Sequence, residues 1–287
     1  MLKINHLNIS YQNTPAVRDL SLAVGAGQIV GIAGESGSGK STMLRSITGL
    51  LGREGKIISG DIWFENRQLQ LLGEKEMEKI RGKDISMIFQ QPESSFDPVT
   101  TIGKQFCEAL RVHENISKKE ALGRGMQLLE KLHFPDPKRI MDSYAFELSG
   151  GMCQRAAIAL GMVCNPKLLL ADEPTSALDV TVQSQTADAL MELRENFGTA
   201  ILMVTHNIGV IAYMADYVGI MYNGKLVEWG KKEEILLEAE HPYTKALIRA
   251  IPKFGETYEK QIPYTEEITE GKPVAVSPTH WILGGGT

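Results

Sequence analysis

A segment with almost no side chains to pack constrains the fold of this chain more than any other part of the sequence. It reads "GESGSGKST", from Gly34 to Thr42, and it directly follows the continuously apolar run "IVGIA". After it, "MLRSITGLL" has apolar residues at helical spacing. The order is therefore a buried strand, a glycine loop and a helix, which predicts an α/β core.

The glycine loop fits the pattern GxxxxGK[ST] through Gly34, Gly39, Lys40 and Ser41. Glycines let successive backbone N–H groups curl around phosphate oxygens that a Cβ would obstruct, and the following helix N-terminus favours an anion. Lys40 is predicted to reach the β- and γ-phosphates, and the Ser41 hydroxyl to ligate Mg²⁺. The residues predicted to bind the nucleotide here are Gly34, Ser36, Gly37, Ser38, Gly39, Lys40, Ser41 and Thr42.

A second candidate site follows the apolar run in "LLLADE", where Asp172 and Glu173 end a predicted strand. Adjacent carboxylates at such a place are often only a solvated strand end. Beside a phosphate-binding loop they gain a role: Asp172 is predicted to hold Mg²⁺ through water, and Glu173 to polarise an attacking water.

The remaining patterns organise the chain around this core. Short β-type runs fill the first sixty residues and predict an N-terminal antiparallel β subdomain. Amphipathic helical patterns predict an inserted α-helical subdomain at about 100–160, and "PKLLLADEP" and "GTAILMVTH" are typical of buried parallel strands. We expect an α/β P-loop NTPase core with a parallel sheet, occupying 1–252, followed by a C-terminal extension at 253–287.

Composition excludes several other classes of protein. The formal net charge of −5 gives no overall basic field for nucleic acid or anionic lipid. The N-terminus does not resemble a signal peptide, and no apolar stretch approaches the ~20 residues that span a bilayer. The three cysteines, Cys107, Cys153 and Cys164, have no paired spacing, which suits a reducing compartment.

Upstream of Asp172, "LSGGMCQR" from Leu148 to Arg155 resembles the signature motif of ABC-type ATPases. Other motifs of that family occur along the chain in the family's order: Gln90 in "MIFQQP" before this stretch, and Asp179 in "SALD" and His206 in "MVTHN" after it. Tyr11, in "ISYQ", stands where the family places an aromatic residue that stacks on adenine. The resemblance covers roughly Leu2 to Pro252.

This resemblance assigns roles that the residues alone do not. Ser149, Gly150 and Gly151 would bind the γ-phosphate held by a partner's glycine loop, so that two subunits enclose two ATP molecules head to tail. His206 would contact the γ-phosphate and orient water, and Gln90 would touch Mg²⁺. Asp179 would bridge the subunits. Taken singly, these residues read as a helix cap, a strand-end histidine, an uninformative glutamine and another cap.

Two stretches, "FQQPESSFDPVTTIG" and "HPYTKALIRAIP", resemble the oligopeptide, dipeptide and nickel importer branch of the family. The resemblance implies an ATP-hydrolysing, Mg²⁺-dependent subunit at the cytoplasmic face of the membrane. Its partners would be a second and non-identical ABC ATPase subunit, two transmembrane permease subunits and an extracytoplasmic substrate-binding protein. Many relatives carry an iron–sulfur cluster in a cysteine-bearing C-terminal region, but no cysteine follows Cys164, so we expect no cluster here.

One alternative is a soluble ABC ATPase that acts on ribosomes or DNA repair intermediates. Such proteins usually carry two ATPase units or long coiled coils, whereas this chain has one motif set and no sustained heptads. One departure from the family is Cys153, which stands where many relatives carry Arg or Gln. We expect ATPase activity to survive it, because the serine and both glycines of the motif remain.

Overall fold

The computed structural model describes residues 1–176, 178–250 and 271–284, which form two compact units. Unit 1 comprises Met1–Val24, Gln28–Gln70 and Val204–Thr287, and unit 2 comprises Gly25–Gly27 and Leu71–Met203. The strands are β1 (Leu2–Tyr11), β2 (Thr14–Val24), β3 (Ile29–Ala33), β4 (Gly55–Phe64), β5 (Arg67–Gln68), β6 (Ile85–Ile88), β7 (Leu168–Asp172), β8 (Ala200–Thr205), β9 (Tyr217–Tyr222), β10 (Lys225–Lys231), β11 (Pro273–Ala275) and β12 (Trp281–Leu283). The α-helices are α1 (Lys40–Ile47), α2 (Glu74–Ile80), α3 (Ile102–His113), α4 (Lys118–Lys131), α5 (Pro137–Asp142), α6 (Gly150–Met162), α7 (Val180–Phe197), α8 (Ile208–Met214), α9 (Lys232–Leu237) and α10 (Pro242–Arg249).

Unit 1 contains the predicted antiparallel layer, with strand order β2-β1-β4-β5. In β1, the side chains of Leu2, Ile4, Leu7 and Ile9 are almost wholly buried, while Lys3 and Asn5 between them are exposed. This alternation puts one face of the sheet against the core.

A second sheet in unit 1 has the order β11-β12-β10-β9-β3. Strands β3 and β9 are parallel, with Gly31 opposite Val218, and every residue of β3 is buried. Gly31 is needed because a Cβ there would lie 2.9 Å from Ile211 Cγ1 of α8, so the helix packs directly on the strand. This close contact fixes the strand from which the glycine loop departs.

Unit 2 holds the parallel strands β6 and β7, with Ile88 opposite Ala171, and the order β8-β7-β6. Helices α3 to α6 occupy Ile102 to Met162, the part of the chain where a helical insert was predicted. Ser117 caps α4 by accepting from Glu120 N–H, and the Glu120 carboxylate accepts from Ser117 N–H in return. None of the helices in the described ranges is long and apolar enough to cross a membrane.

The C-terminal extension predicted at 253–287 lies outside the described residues apart from 271–284. Those residues form β11 and β12, and β12 pairs with β10 through Trp281 opposite Trp229. These strands were not predicted, because three residues are too short to show a periodic pattern. The three cysteines are free thiols, which agrees with the absence of any paired spacing.

Candidate nucleotide-binding site

The glycine loop of unit 1 keeps its shape because two of its glycines touch the backbone of other strands and segments. Gly34 has φ +154°, and a Cβ there would lie 2.1 Å from the carbonyl oxygen of Met221. Gly39 has φ +100°, and its Cβ would lie 2.4 Å from the carbonyl oxygen of Ala16. Neither position can accept a larger residue, since a backbone oxygen cannot rotate away.

Gly37, at the tip of the loop, differs from these two glycines. Its φ of +80° lies in the left-handed region, but a Cβ there would meet no atom within 4 Å. The neighbouring residues Glu35 and Ser36 are exposed. Within the described part of the chain, the tip of the loop at Gly37 therefore faces open space on the side where a side chain would project.

Lys40, the first residue of α1, places its ammonium group inside the loop. The residue is only 5% exposed, and Nζ donates to the carbonyl oxygens of Gly34 and Glu35, both at 2.7 Å, and to Ser38 Oγ at 3.3 Å. A buried ammonium group is stable only with such acceptors. Its position puts one full positive charge beside the helix N-terminus, where phosphate oxygens would bind.

A tyrosine from the far end of the chain also contacts this loop. Tyr243 Oη accepts a hydrogen bond from Glu35 N–H at 3.1 Å. In the sequence, Tyr243 is part of the "HPYT" stretch, for which no contact with the loop is predicted. The separation of 208 residues left no local signal of the contact.

Two further predicted site residues lie in unit 1. Tyr11 ends β1, where its ring packs over Gly55 of β4: a Cβ on Gly55 would lie 2.8 Å from Tyr11 Cε1. His206 is exposed directly after β8. Asn207 follows it, donates its N–H to Thr205 Oγ1 at 3.0 Å and caps α8. These hydrogen bonds fix the backbone directly after His206.

Unit 2 brings Gln90, Asp172 and Glu173 to one edge of its sheet. Because Ile88 pairs with Ala171 in parallel strands, the residues after each strand leave the sheet at the same end. Asp172 is 3% exposed, Glu173 is half-buried and Gln90 is exposed. Carboxylate and amide oxygens of this kind are suitable direct or water-mediated ligands of Mg²⁺.

The backbone of Glu173 is strained. Its φ of +51° lies in the left-handed region, which costs about 1–2 kcal/mol for a residue with a side chain. Ser176 holds this turn, because its N–H and its hydroxyl both donate to the Glu173 carbonyl oxygen at 3.1 and 3.0 Å. Strain of this kind, held by surrounding hydrogen bonds, is common at functional sites.

The predicted signature residues form the start of α6. Ser149 is the N-cap, its Oγ accepting from Met152 N–H at 3.4 Å, and Ser149 and Gly150 are both exposed. Gly151 packs against Val182 of α7, because a Cβ there would lie 2.5 Å from Val182 Cγ1. Because Ser149 and Gly150 are exposed, the N-terminus of α6 is accessible, and a helix N-terminus is suited to bind an anion.

Asp179 caps the neighbouring helix α7, accepting from Val182 N–H at 3.0 Å. The residue is exposed. Since Val182 also contacts Gly151, the signature motif and the start of α7 are packed on each other. The bridging role predicted for Asp179 does not conflict with this cap, since only one of its carboxylate oxygens is needed for it.

Cys153, the departure from the family pattern, is completely buried on α6. Burial raises the pKa of its thiol to about 11, with a smaller contribution from Glu93. The side chain is therefore a neutral, inward-facing group at neutral pH. It leaves the exposed serine and glycine of the motif unchanged.

The comparisons with known proteins agree with these features. The family model described as "ABC transporter" matches residues 17–176, and the one described as "Oligopeptide/dipeptide transporter, C-terminal region" matches residues 227–275. The chain is 44% identical over 265 residues to the oligopeptide transport ATP-binding protein AppD of Bacillus subtilis, covering 91% of this chain and 81% of that protein. It is 42% identical over 257 residues to OppD of Salmonella typhimurium, which has the same description, covering 88% of this chain and 76% of that protein.

Among solved structures, one similar protein is the ATP-binding cassette MJ0796, seen as a dimer in a post-hydrolysis state with ADP and Pi. The TM-score is 0.72 at 29% sequence identity, and the match covers 81% of this chain and 99% of the other. The predicted fold class is thereby confirmed.

Proposed function

The chain belongs to the ABC transporter ATP-binding family, whose members hydrolyse ATP to power transport, and from this premise we propose that it drives an importer of oligopeptides or dipeptides. The observation that carries the proposal is the presence in one chain of the ATP-binding region and the oligopeptide/dipeptide transporter C-terminal region. The relatives named for oligopeptide transport favour peptides over nickel as cargo. The C-terminal match also disfavours the soluble, non-transport alternative.

The loop of unit 1 is suited to hold the triphosphate of ATP. The open side of Gly37, the buried ammonium group of Lys40 and the N-terminus of α1 all favour an anion of this shape. Tyr11 stacks on the adenine, and Ser36, Ser38 and Thr42 contribute further hydrogen-bond donors. The site that results recognises phosphate mainly through backbone, so it tolerates no side chain at the loop's glycines.

The family resemblance implies that Ser41, Gln90 and Asp172 would supply oxygen ligands to Mg²⁺. A hydroxyl, an amide oxygen and a carboxylate, with waters, match the preference of this cation for oxygen. When bound, the ion neutralises charge on the phosphate oxygens.

Hydrolysis then depends on groups that polarise water and stabilise charge. Glu173 accepts a proton from the attacking water, and His206 orients the γ-phosphate. Lys40 and the backbone amides of Ser149, Gly150 and Gly151 stabilise the negative charge that spreads over the transferred group. Because the signature of one chain acts on the nucleotide of another, two ATPase subunits form two composite sites, with Asp179 at the boundary. The dimeric cassette MJ0796 supports this arrangement.

The segment after Gln90 is suited to contact a membrane partner. Gln105 braces it from within: its Oε1 accepts from Asp97 N–H at 2.9 Å, and its Nε2 donates to Thr100 O at 2.8 Å. Hydrogen bonds from Val99 N–H and the Thr100 hydroxyl lower the pKa of Asp97 and keep it charged. Val99, in the middle of this hydrogen-bonded segment, is 81% exposed.

The assembly we propose contains this chain, a second ABC ATPase subunit that is not identical to it, two permease subunits and an extracytoplasmic binding protein. The chain binds at the cytoplasmic face of the membrane as a peripheral subunit. It binds no nucleic acid, which its net charge of −5 disfavours. We expect no iron–sulfur cluster, since no cysteine follows Cys164.

The proposal is tested by reconstituting the complex in proteoliposomes and measuring ATP turnover with dipeptides, longer peptides, Ni²⁺ and Ni²⁺ chelates in turn. Peptides presented with the binding protein are expected to raise turnover, and Lys40→Ala to abolish it. Stimulation by Ni²⁺ or its chelates alone would replace peptide with metal as the cargo. A chain that co-purifies with ribosomes and never with permeases would contradict the transport function.

A further inference from the structure

One hydrogen bond connects the "HPYT" stretch of α10 to the glycine loop. Glu35 N–H donates to Tyr243 Oη at 3.1 Å, while the Glu35 carbonyl oxygen accepts from Lys40 Nζ at 2.7 Å. The two peptide groups that flank Glu35 are therefore each held by a side chain. Glu35 begins the turn that is closed by Ser38 N–H donating to the Glu35 carbonyl oxygen at 3.2 Å. The tyrosine thus fixes the entry to the phosphate-binding turn.

The side chain of Tyr243 cannot move away easily. The residue is 1% exposed, and its ring packs on that of Tyr222 with centroids 4.3 Å apart. Burial raises the pKa of the Tyr243 hydroxyl to about 12, so the group stays neutral across the physiological range. A neutral hydroxyl accepts the Glu35 N–H without placing a negative charge beside the phosphates.

The start of α10 is fixed by one buried carboxyl group, that of Glu228 on β10. Glu228 is 0% exposed, and it accepts from the backbone N–H of Glu240 at 2.7 Å and of His241 at 3.2 Å. His241 in turn caps the helix, because its Nδ1 accepts from Tyr243 N–H at 3.2 Å. Tyr243 is therefore two hydrogen bonds away from Glu228.

The C-terminal segment, residues 271–284, closes on the same carboxyl group. His280 Nε2 lies 2.8 Å from Glu228 Oε1, and the two side chains are 1% and 0% exposed. Ser277 and Thr279 donate their hydroxyls to Glu234 Oε1 at 2.6 and 2.9 Å. Strand β12 also pairs with β10, with Ile282 opposite Glu228, so both the backbone and the side chains of the segment are attached near this carboxyl group.

We infer that Tyr243 is a positioning residue of the glycine loop, and that the C-terminal segment supports it through the contact of His280 with Glu228. The inference rests on the proposed function, because it concerns the same ATP site. On this inference, the "HPYT" stretch holds the loop in the conformation that binds phosphate. A loop that leaves this conformation part of the time binds ATP with an apparent Kd raised by the inverse of the competent fraction.

The test compares Tyr243→Phe with Thr244→Val in the full-length chain, using equilibrium ATP binding to the chain and steady-state ATPase assays of the reconstituted complex. Phe keeps the ring packing and removes only the hydroxyl. Thr244 is a matched control: it is also fully buried on α10, but its Oγ1 has no hydrogen-bond partner among the described residues. We expect Tyr243→Phe to raise the Kd and KM for ATP about five-fold with kcat within about two-fold, the effect of one lost hydrogen bond. Thr244→Val should leave all three constants unchanged.

A purely structural role for the hydroxyl would give a different pattern. Tyr243→Phe would then lower the midpoint of urea unfolding while Kd and KM stayed at the wild-type values, and this result would overturn the inference. Hydrogen exchange gives a second readout that does not depend on activity. The Glu35 amide should exchange slowly in the wild-type chain and faster in Tyr243→Phe; equal rates would also overturn it.

The support from the C-terminal segment is tested by His280→Ala and by the double variant with Tyr243→Phe. His280→Ala should raise the KM for ATP, and the double variant should show less than the product of the two single effects, because both act through one contact chain. If the KM changes of the two single variants multiplied in the double variant, the claim that the C-terminal segment supports Tyr243 would be wrong. If the wild-type chain bound no ATP, or if Lys40→Ala bound it equally well, the proposed function itself would fail.

Discussion

Two glycines with nearly equal positive φ angles allow two costs of an added side chain to be measured separately: the loss of phosphate binding and the backbone strain. Gly37 has φ +80° and Gly52 has φ +77°, and at neither position would a Cβ meet an atom within 4 Å. Gly37 is at the tip of the glycine loop, whereas Gly52 is an exposed loop residue outside the predicted site. The variants Gly37→Ala and Gly52→Ala therefore carry the same change in the same kind of environment.

The magnitudes follow from this geometry. Alanine in the left-handed region costs about 1–2 kcal/mol, so both variants should lose a similar amount of stability. Only at Gly37 would the methyl group also displace a phosphate from the backbone amides. Losing one hydrogen bond to a charged group costs about 1.5–3 kcal/mol, which corresponds to a rise of roughly 10- to 100-fold in the Kd for ATP.

The assay is equilibrium binding of a fluorescent ATP analogue with Mg²⁺, with urea unfolding of the same samples to establish that both variants fold. Gly37→Ala should bind far more weakly than the wild-type chain, and Gly52→Ala should bind as the wild-type chain does. If both variants weakened binding equally, or if a folded Gly37→Ala bound normally, the loop would not recognise phosphate through its backbone.

Two other predictions concern unit 2. Gly151→Ala should lower the free energy of unfolding by about 1–3 kcal/mol, because its Cβ would lie 2.5 Å from Val182 Cγ1. Adding Val182→Ala should restore the stability measured by urea unfolding. The control Gly150→Ala, whose Cβ would meet nothing within 4 Å, should change the stability little. A failure of the second substitution to rescue the first would contradict this packing. Burial raises the pKa values of the Cys153 and Cys164 thiols to about 11, so almost no thiolate forms at pH 8. In the native chain these thiols should therefore react with iodoacetamide far more slowly than in the urea-unfolded chain at the same pH. Labelling of the native chain at the unfolded rate would contradict their burial.

The parts of the site that the sequence predicted are those that depend on local structure. The glycine loop, the acidic strand end at Asp172 and the start of α6 are each encoded within a few residues, and the structure places each at the expected end of a strand or helix. The roles of Gly34 and Gly39 were predicted for ligand reasons alone. The structure adds a second reason, contact with the backbone at Met221 and Ala16.

The parts that the sequence did not predict depend on contacts between distant segments. Tyr243 is 208 residues from Glu35, and His280 is 52 residues from Glu228. A helix pattern can indicate that Tyr243 is buried but not which backbone group its hydroxyl meets. The same limit applies to β12, which is a strand because it pairs with β10 on one side and β11 on the other.

Glu173 gives the most direct test of the central claim, that this chain hydrolyses ATP through a general base at the end of β7. The measurement is the ATP turnover of the reconstituted complex carrying Glu173→Gln against the complex with the wild-type chain, at saturating ATP and Mg²⁺, with the affinity for ATP determined in parallel. Loss of the base should lower turnover by about 10²–10⁴-fold and leave ATP binding intact. Undiminished turnover in a variant that binds ATP normally would contradict the role of Glu173 and the mechanism built on it.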